Sequence, residues 1–213
     1  MAMPSLSGQI RQKYELGDVL HMTDIENLES ILAHTRILSK NQMSKLGKKY
    51  IDLSNESVQS GGSNITIECT GKALHDYVPL YWGKKTPMVA VNQDRNERLI
   101  FLMFSTNFLG EYDCVICDGN ARSRSTLFRK FKALNDLDLL HPLSINTVKY
   151  AISDEVKRRK QAEILVLDSL PLTHLLRIVC HSAIAKVRIE ALLATHGINR
   201  GVYVGAGNYY FKG

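Results

Sequence analysis

No apolar run in this sequence is long enough to cross a bilayer, which takes about 18 or more residues, and the N-terminal stretch MAMPSLSGQIRQKYELGD lacks the hydrophobic centre of a signal peptide. These two absences predict a cytoplasmic protein with no membrane partner. Cysteine is scarce, with four in 213 residues: Cys69, Cys114, Cys117 and Cys180. A disulfide framework is therefore not expected in a cytoplasmic chain of this size. Cys114 and Cys117 have CxxC spacing, but no second Cys/His pair at zinc spacing accompanies them. The pair reads as two small apolar side chains, and no metal is expected. GxGxxG and GxxxxGK[ST] are both missing, which removes the glycine cradles of Rossmann and P-loop nucleotide sites. No repeat, linker or low-complexity tract divides the chain, so residues 1–213 read as one domain.

What is present is positive charge in groups. Lysine and arginine number 27 against 21 acidic residues, for a net charge of +6. Lys45, Lys48 and Lys49 form one group and Lys84 and Lys85 a second. Arg122, Arg124, Arg129, Lys130 and Lys132 form a third, and Lys157, Arg158, Arg159 and Lys160 a fourth. Each alone fits a solvated face; brought together by folding, they would attract a polyanion such as nucleic acid.

GDVLHMT reads as a first strand. TDIENLESILAHTRIL reads as a helix, with Thr23 as N-cap, Glu26 at the capping-box position, and Ile25, Leu28, Ile31 and Leu32 on its apolar face. Residues 39–72 read as a long loop with one short helix, and long loops in compact domains are often functional. MVAVN and LIFLMFS read as strands, and STLFRKFKALNDL as a helix with Leu127, Phe128, Phe131 and Leu134 inward. EYDCVICDGN is a strand and turn. SDEVKRRKQ is a short helix capped by Ser153, AEILVLD a buried strand, and SAIAKVRIEALLATHG a helix stopped by Gly197. GVYVG and NYYF close the chain as strands. This order lacks regular βαβ alternation and predicts an α+β fold.

Three stretches carry candidate chemistry. In KRRKQAEILVLDSLP, Glu163 stands at the mouth of a buried strand, two residues after Gln161. If strand geometry reaches back to Gln161, both side chains share a face and could hold a ribose. A carboxylate there would also stabilise an oxocarbenium ion as a glycosidic bond breaks; the bland reading is a surface charge pairing with its basic neighbours. In VLHMTD, His21 and Thr23, with Asn27 beyond, could present polar groups at a strand-to-helix junction, or could be a structural histidine and a helix cap. LHDYVPLYWGKKTPM could form an aromatic stacking wall containing Tyr77 and Tyr81, or a core loop pinned by large side chains.

Taken together and in this order, HMTDIENLESIL, LHDYVPLYWGKKTPM, DGNA and RKQAEILV resemble the DarT family of NAD-dependent ADP-ribosyltransferase toxins that modify nucleic-acid bases. The resemblance runs from His21 to Phe211. It implies the ADP-ribosyltransferase fold, a split, twisted β-sandwich with surrounding helices and NAD in the cleft, with NAD as substrate and no metal. It implies that His21 and Thr23 hold the adenosine-side ribose, with Asn27 near the pocket and Tyr77 and Tyr81 beside the nicotinamide. Glu163 becomes the catalytic glutamate and Gln161 the residue that touches the acceptor. The partners implied are single-stranded DNA or RNA and a cognate antitoxin protein, in a setting such as phage defence. Lys157, Arg158, Arg159 and Lys160, with Arg122 and Arg124, are expected to guide the nucleic acid. One departure stands out: family members that modify thymidine carry an arginine on the loop before LHDYVP, and this chain has none between Arg36 and Arg95. Gly61 and Gly62 lie near that place, and Lys48, Lys49 or Lys72 could supply charge instead. The same chemistry on RNA, or a binding module that has lost catalysis, stays open on sequence alone.

Overall fold

The computed structural model describes residues 4–53, 65–147 and 152–211. Its strands are β1 (Val19–Asp24), β2 (Arg36–Leu38), β3 (Thr66–Ile67), β4 (Lys72–Ala73), β5 (Tyr77–Tyr81), β6 (Leu99–Phe104), β7 (Cys114–Cys117), β8 (Phe128–Lys130), β9 (Glu163–Leu167), β10 (Ser169–Pro171), β11 (Leu175–Cys180) and β12 (Gly201–Val204). Eight of them build one open sheet in the order β12-β11-β6-β1-β5-β9-β7-β8, antiparallel throughout except for the β11–β12 pair. The α+β class and the expected strands around VLHMTD, LIFLMF, CVIC, EILVL and GVYV are present.

Both faces of the sheet are covered, which is why LIFLMF is buried at all six positions rather than alternating. One face carries the main core. There Ile100, Leu102, Phe104, Ile116, Ile164 and Val166 meet Leu28 and Leu32 of the helix Leu28–Ala33, and Ile189 and Leu193 of the helix Ala183–Thr195. The opposite face carries two separate smaller clusters. Leu99, Phe101 and Met103 pack with Tyr209 and Tyr210, while Tyr77, Val115, Cys117 and Leu165 pack with Ile67 and Leu74.

The sheet splits between β1 and β5. β1 pairs with β6 over six residues, from Val19↔Phe104 to Asp24↔Leu99, but with β5 only at Leu20↔Tyr81. Proline explains where the ladder stops. The Trp82 N–H donates to Ala162 O, so alternation turns the backbone groups of even-numbered residues in this segment toward β9 and those of odd-numbered residues toward β1. Pro79 therefore presents its missing N–H to β1, and a ladder cannot run past it. The Pro79 carbonyl is taken instead by the His21 ring, Nδ1 to O 3.0 Å.

Several expected elements differ. MVAVN is not a strand: Pro87 opens the helix Pro87–Val91, a position where its missing N–H costs nothing. STLFRKFKALNDL is not a helix. It forms β8 and a 3-10 turn, Leu134–Leu139, because the open edge of β7 offers backbone partners that outweigh a helical spacing of apolar residues. NYYF follows β12 as the short helix Ala206–Tyr209, and Tyr209 and Tyr210 pack on Phe101 with ring centres 5.6 and 5.2 Å away. Thr23 is not the N-cap after β1; Asp24 is, accepting from Glu26 N–H at 2.9 Å. The single long helix expected there is a 3-10 turn, Ile25–Asn27, and the helix Leu28–Ala33.

Candidate active site

A cleft occupies the split between β1 and β5, and His21, Thr23, Asn27, Tyr77, Tyr81 and Glu163 all line it. Six residues separated by up to 142 positions in sequence thus converge on one surface. Strand alternation arranges part of it: Tyr77, Pro79 and Tyr81 share one face of β5, and Glu163 and Leu165 share one face of β9.

Glu163 is the first residue of β9, flanked in register by Tyr81 on β5 and Cys117 on β7. It is 4% exposed. Its Oε2 accepts from the Ala121 N–H at 3.3 Å. Burial pushes the carboxyl up to about 8, against the pull of the Ala121 N–H and the Arg122 charge. Around neutral pH the unliganded protein therefore holds Glu163 mainly as the acid. Burial, followed by the Glu163 charge, also raises the Tyr81 phenol.

His21 donates from Nδ1, because the Pro79 carbonyl can only accept. Its Nε2 is then the acceptor nitrogen. Burial lowers the ring's pKa, more than its bond to Pro79 raises it, which keeps this neutral tautomer at physiological pH. Thr23 Oγ1 accepts from Asn27 Nδ2 at 3.0 Å, leaving its own hydrogen for a further acceptor. Asn27 spends both amide hydrogens inside the protein, on Thr23 and on Ile51 O at 2.9 Å, while its Oδ1 accepts from Ile51 N–H at 2.8 Å. Asn27 thus fixes Thr23 and the segment at Ile51. Beside Ile51, Asp52 binds Lys40 at 2.5 Å and accepts from Tyr50 Oη at 3.2 Å. The aromatic wall reduces to Tyr77 and Tyr81: Trp82 packs in the main core, and Tyr77 Oη bonds Thr70 Oγ1 at 2.7 Å.

Two sequence expectations fail here. Gln161 does not share a strand face with Glu163. It caps the helix Asp154–Lys160, its amide donates to Lys157 O at 3.1 Å, and it does not line the cleft. The helix persists to Lys160, and the ladder with β5 resumes only at Ala162, so strand geometry never reaches back to Gln161. The cations at 157–160 are not a free basic face either. Lys157 pairs with Asp154 at 3.0 Å and Arg159 with Glu155 at 2.5 Å, while Arg158 binds both Glu155 and Asp118 at 2.9 Å. Lys160 is 6% exposed and donates to Thr147 O. The acids Asp154 and Glu155 in the helix's first turn lie one turn before these cations and absorb their charge.

Arg122 and Arg124 sit on the turn between β7 and β8. Arg122 lines the cleft that holds Glu163, and it also lines a second groove that continues from it past Arg124, Leu127, Phe128 and Arg129. The stretch where the family's loop arginine is expected, with Gly61 and Gly62, lies outside the described residues. Lys48, Lys49 and Lys72 are exposed and do not line the cleft; among the described residues its basic lining comes from Arg36, Lys40 and Arg122, with His21, His34 and His75. Sequence reading missed the Ala121 N–H and Asp118. A backbone donor carries no side-chain signature, and DGNA after a strand announced only a turn.

Cys114 packs in the main core and Cys117 in the cluster on the opposite face. No group of three potential metal ligands occurs among the described residues, and no described helix is long and apolar enough to cross a membrane.

Known proteins share this fold. A structure of DarT from Thermus sp. 2.9 in complex with ADP-ribosylated ssDNA superposes with a TM-score of 0.83 at 22% identity, covering 92% of this chain and 97% of that one. The same protein in complex with NAD+ gives 0.77 over 91% and 97%. DarTG from Thermosipho africanus in complex with ADP-ribose gives 0.75 at 17% identity, over 89% of this chain and 50% of that one. In sequence, the chain is 26% identical over 161 residues to a DNA ADP-ribosyl transferase of Thermus sp. (strain 2.9), covering 72% of this chain and 76% of the relative. It is 27% identical over 154 residues to one of Escherichia coli O127:H6, covering 66% and 70%. The family model described as "ssDNA thymidine ADP-ribosyltransferase, DarT" matches residues 20–211, and with the split sheet and its buried glutamate in place this chain belongs to the DarT family.

Proposed function

We propose that this chain transfers ADP-ribose from NAD to a base of single-stranded DNA and releases nicotinamide. The observation that carries this reading is Glu163, a carboxyl 4% exposed at the wall of a cleft that also presents His21, Thr23 and Tyr81. The relatives named DNA ADP-ribosyl transferase, and the NAD+ and ADP-ribosylated ssDNA in the Thermus complexes, support it. His21 Nε2 accepts from an adenosine-side ribose hydroxyl and the Thr23 hydroxyl donates to its neighbour. Tyr77 and Tyr81 border the nicotinamide. The positive nicotinamide ring brings the charge that favours ionised Glu163. The glycosidic C–N bond then breaks with its electron pair leaving on nicotinamide. Glu163 stabilises the oxocarbenium ion, a base nitrogen closes the new bond to C1′, and the base's proton leaves to Glu163 or water. A base must be unstacked to reach this depth, which favours single strands. Arg122, Arg124 and Arg129 place the acceptor's phosphates in the adjoining groove. A cytoplasmic setting and a cognate antitoxin, as the DarTG name suggests for its own chain, belong to the same reading.

Incubation with NAD and single-stranded DNA or RNA oligonucleotides, followed by mass spectrometry of the nucleosides, tests it. ADP-ribose on a deoxynucleoside is expected. Modification of RNA alone would overturn the DNA assignment, and nicotinamide binding without turnover would leave a binding module.

His21→Ala is expected to raise the Michaelis constant for NAD roughly 2- to 10-fold, the worth of one neutral hydrogen bond, with turnover nearly unchanged. An unchanged constant with a large fall in turnover would place His21 at the reacting centre instead. Arg124→Glu with Arg129→Glu is expected to weaken oligonucleotide binding and to flatten its salt dependence by about one log unit per lost phosphate contact, with NAD hydrolysis intact. Equal slopes in a salt titration would remove this groove from the acceptor path.

A further inference from the structure

We infer that Asp118 and Arg158 form a positioning pair for the reaction, locking the turn 118–126 so that the Ala121 N–H and the Arg122 side chain are held against Glu163. This rests on the reading of Glu163 as the catalytic carboxyl, and it gives Arg158 a role other than contact with nucleic acid.

The turn begins one residue after Cys117, the register partner of Glu163. Asp118 uses both oxygens: Oδ1 accepts from Leu127 N–H at 2.8 Å and Oδ2 meets the Arg158 guanidinium at 2.9 Å. Thr126 Oγ1 donates to Asn120 O at 2.6 Å, and Asn120 Oδ1 accepts from Arg122 N–H at 2.9 Å. Gly119 lies so close to the helix Asp154–Lys160 that a β-carbon there would stand 3.2 Å from the Arg158 guanidinium, 3.3 Å from the Arg158 carbonyl and 3.0 Å from Thr126 Oγ1. A surface turn with no task would not need a buried aspartate, a glycine at close approach and a guanidinium from another element. These ties converge on the residues between them, and those residues carry the hydrogen bond to Glu163.

The titratable groups facing Glu163 are Tyr81 on β5, Cys117 on β7 and Arg122 on the turn; His21, His75, Lys40 and Asp52 line the same cleft. Of the immediate neighbours, Arg122 and the Ala121 N–H favour the carboxylate, and both ride on the turn. Loosening the turn removes both and makes the carboxyl harder to ionise.

The test uses Asp118→Asn, which keeps an acceptor for Leu127 N–H and loses the charge that holds Arg158. Arg158→Gln breaks the pair from the other side, and Arg158→Lys serves as the conservative rescue. Glu155→Gln is the control, because it removes the exposed partner of Arg158 without touching the turn. Two readouts are taken beside melting curves: the pH profile of kcat/KM for NAD, and titration of the Glu163 carboxyl by carbon NMR in the unliganded protein. Asp118→Asn and Arg158→Gln are expected to move both midpoints upward by at least half a pH unit. They should cost roughly 3- to 10-fold in kcat/KM at pH 7, recovered at higher pH, since the rate follows the ionised fraction. Arg158→Lys should fall between, and Glu155→Gln should match wild type. Folded variants with an unmoved Glu163 titration overturn the positioning role. If the NMR midpoint moves while no variant, wild type included, transfers ADP-ribose, the positioning stands and the reading of function fails. Should Asp118→Asn not fold, the two Arg158 variants decide alone.

Discussion

Glu163→Gln is expected to lower ADP-ribose transfer roughly 100- to 1,000-fold, the usual cost of removing one preorganised stabiliser of transition-state charge, while NAD affinity changes only a few-fold. Glutamine keeps the size of the side chain and an oxygen for the Ala121 N–H, so the cleft should keep its shape. What disappears is the negative charge opposite the ribose as the C–N bond breaks. Nicotinamide release and oligonucleotide modification, each measured at saturating NAD, check the result. Near wild-type rates in the folded variant would remove Glu163 from the mechanism, and a loss confined to the Michaelis constant would make it a binding residue. In wild type, kcat/KM should rise with pH through an ionisation near 8, the value to which burial pushes this carboxyl in the free protein. That limb should be missing from the residual activity of the variant.

The same substitution should stabilise the fold. The folded protein holds the Glu163 proton up to about 8, whereas the ordinary value is 4.5. Between those values the native state binds one more proton than the unfolded chain, so its stability falls as pH rises. Below about pH 4 both states carry the proton and the penalty vanishes; above about pH 8 it is complete. Glutamine never ionises and escapes it. The variant should therefore melt together with wild type near pH 4 and above it by roughly 5–10 °C at pH 8, from a penalty on the order of a few kcal/mol and about 2–4 °C per kcal/mol in a chain of this length. Melting curves across pH 4–9 decide it. A Tm difference that stays constant across that range would mean that Glu163 does not titrate between the two values. A gain in stability paired with loss of activity is the trade expected where a buried acid is kept for chemistry rather than for folding.

Local pattern was informative where burial on both sides of the sheet left a continuous apolar run, as in LIFLMF and EILVL, or where a cap is written in the chain, as with Ser153 and Gly197. It misled where a neighbour supplied the deciding interaction. FRK became β8 because β7 had an open edge, and Tyr209 and Tyr210 joined a short helix and its end against Phe101. For the site, the residue types at 21, 23, 77, 81 and 163 were sufficient to name a set, and the fold brought that set to one cleft.

By itself, then, the sequence determined which residues carry polar chemistry, which runs must be buried, and that Pro79 withholds a donor wherever it is placed, because these follow from side-chain type and from covalent geometry. Tertiary structure decided the rest. It turned the missing donor of Pro79 toward β1 and so opened the split. It spent Lys157, Arg158, Arg159 and Lys160 on Asp154, Glu155, Asp118 and the Thr147 carbonyl. It buried Glu163 against a backbone N–H from a turn 42 residues earlier. The physical reason is that charge, hydrogen bonding and desolvation depend on distances between groups far apart in the chain, and only packing sets those distances.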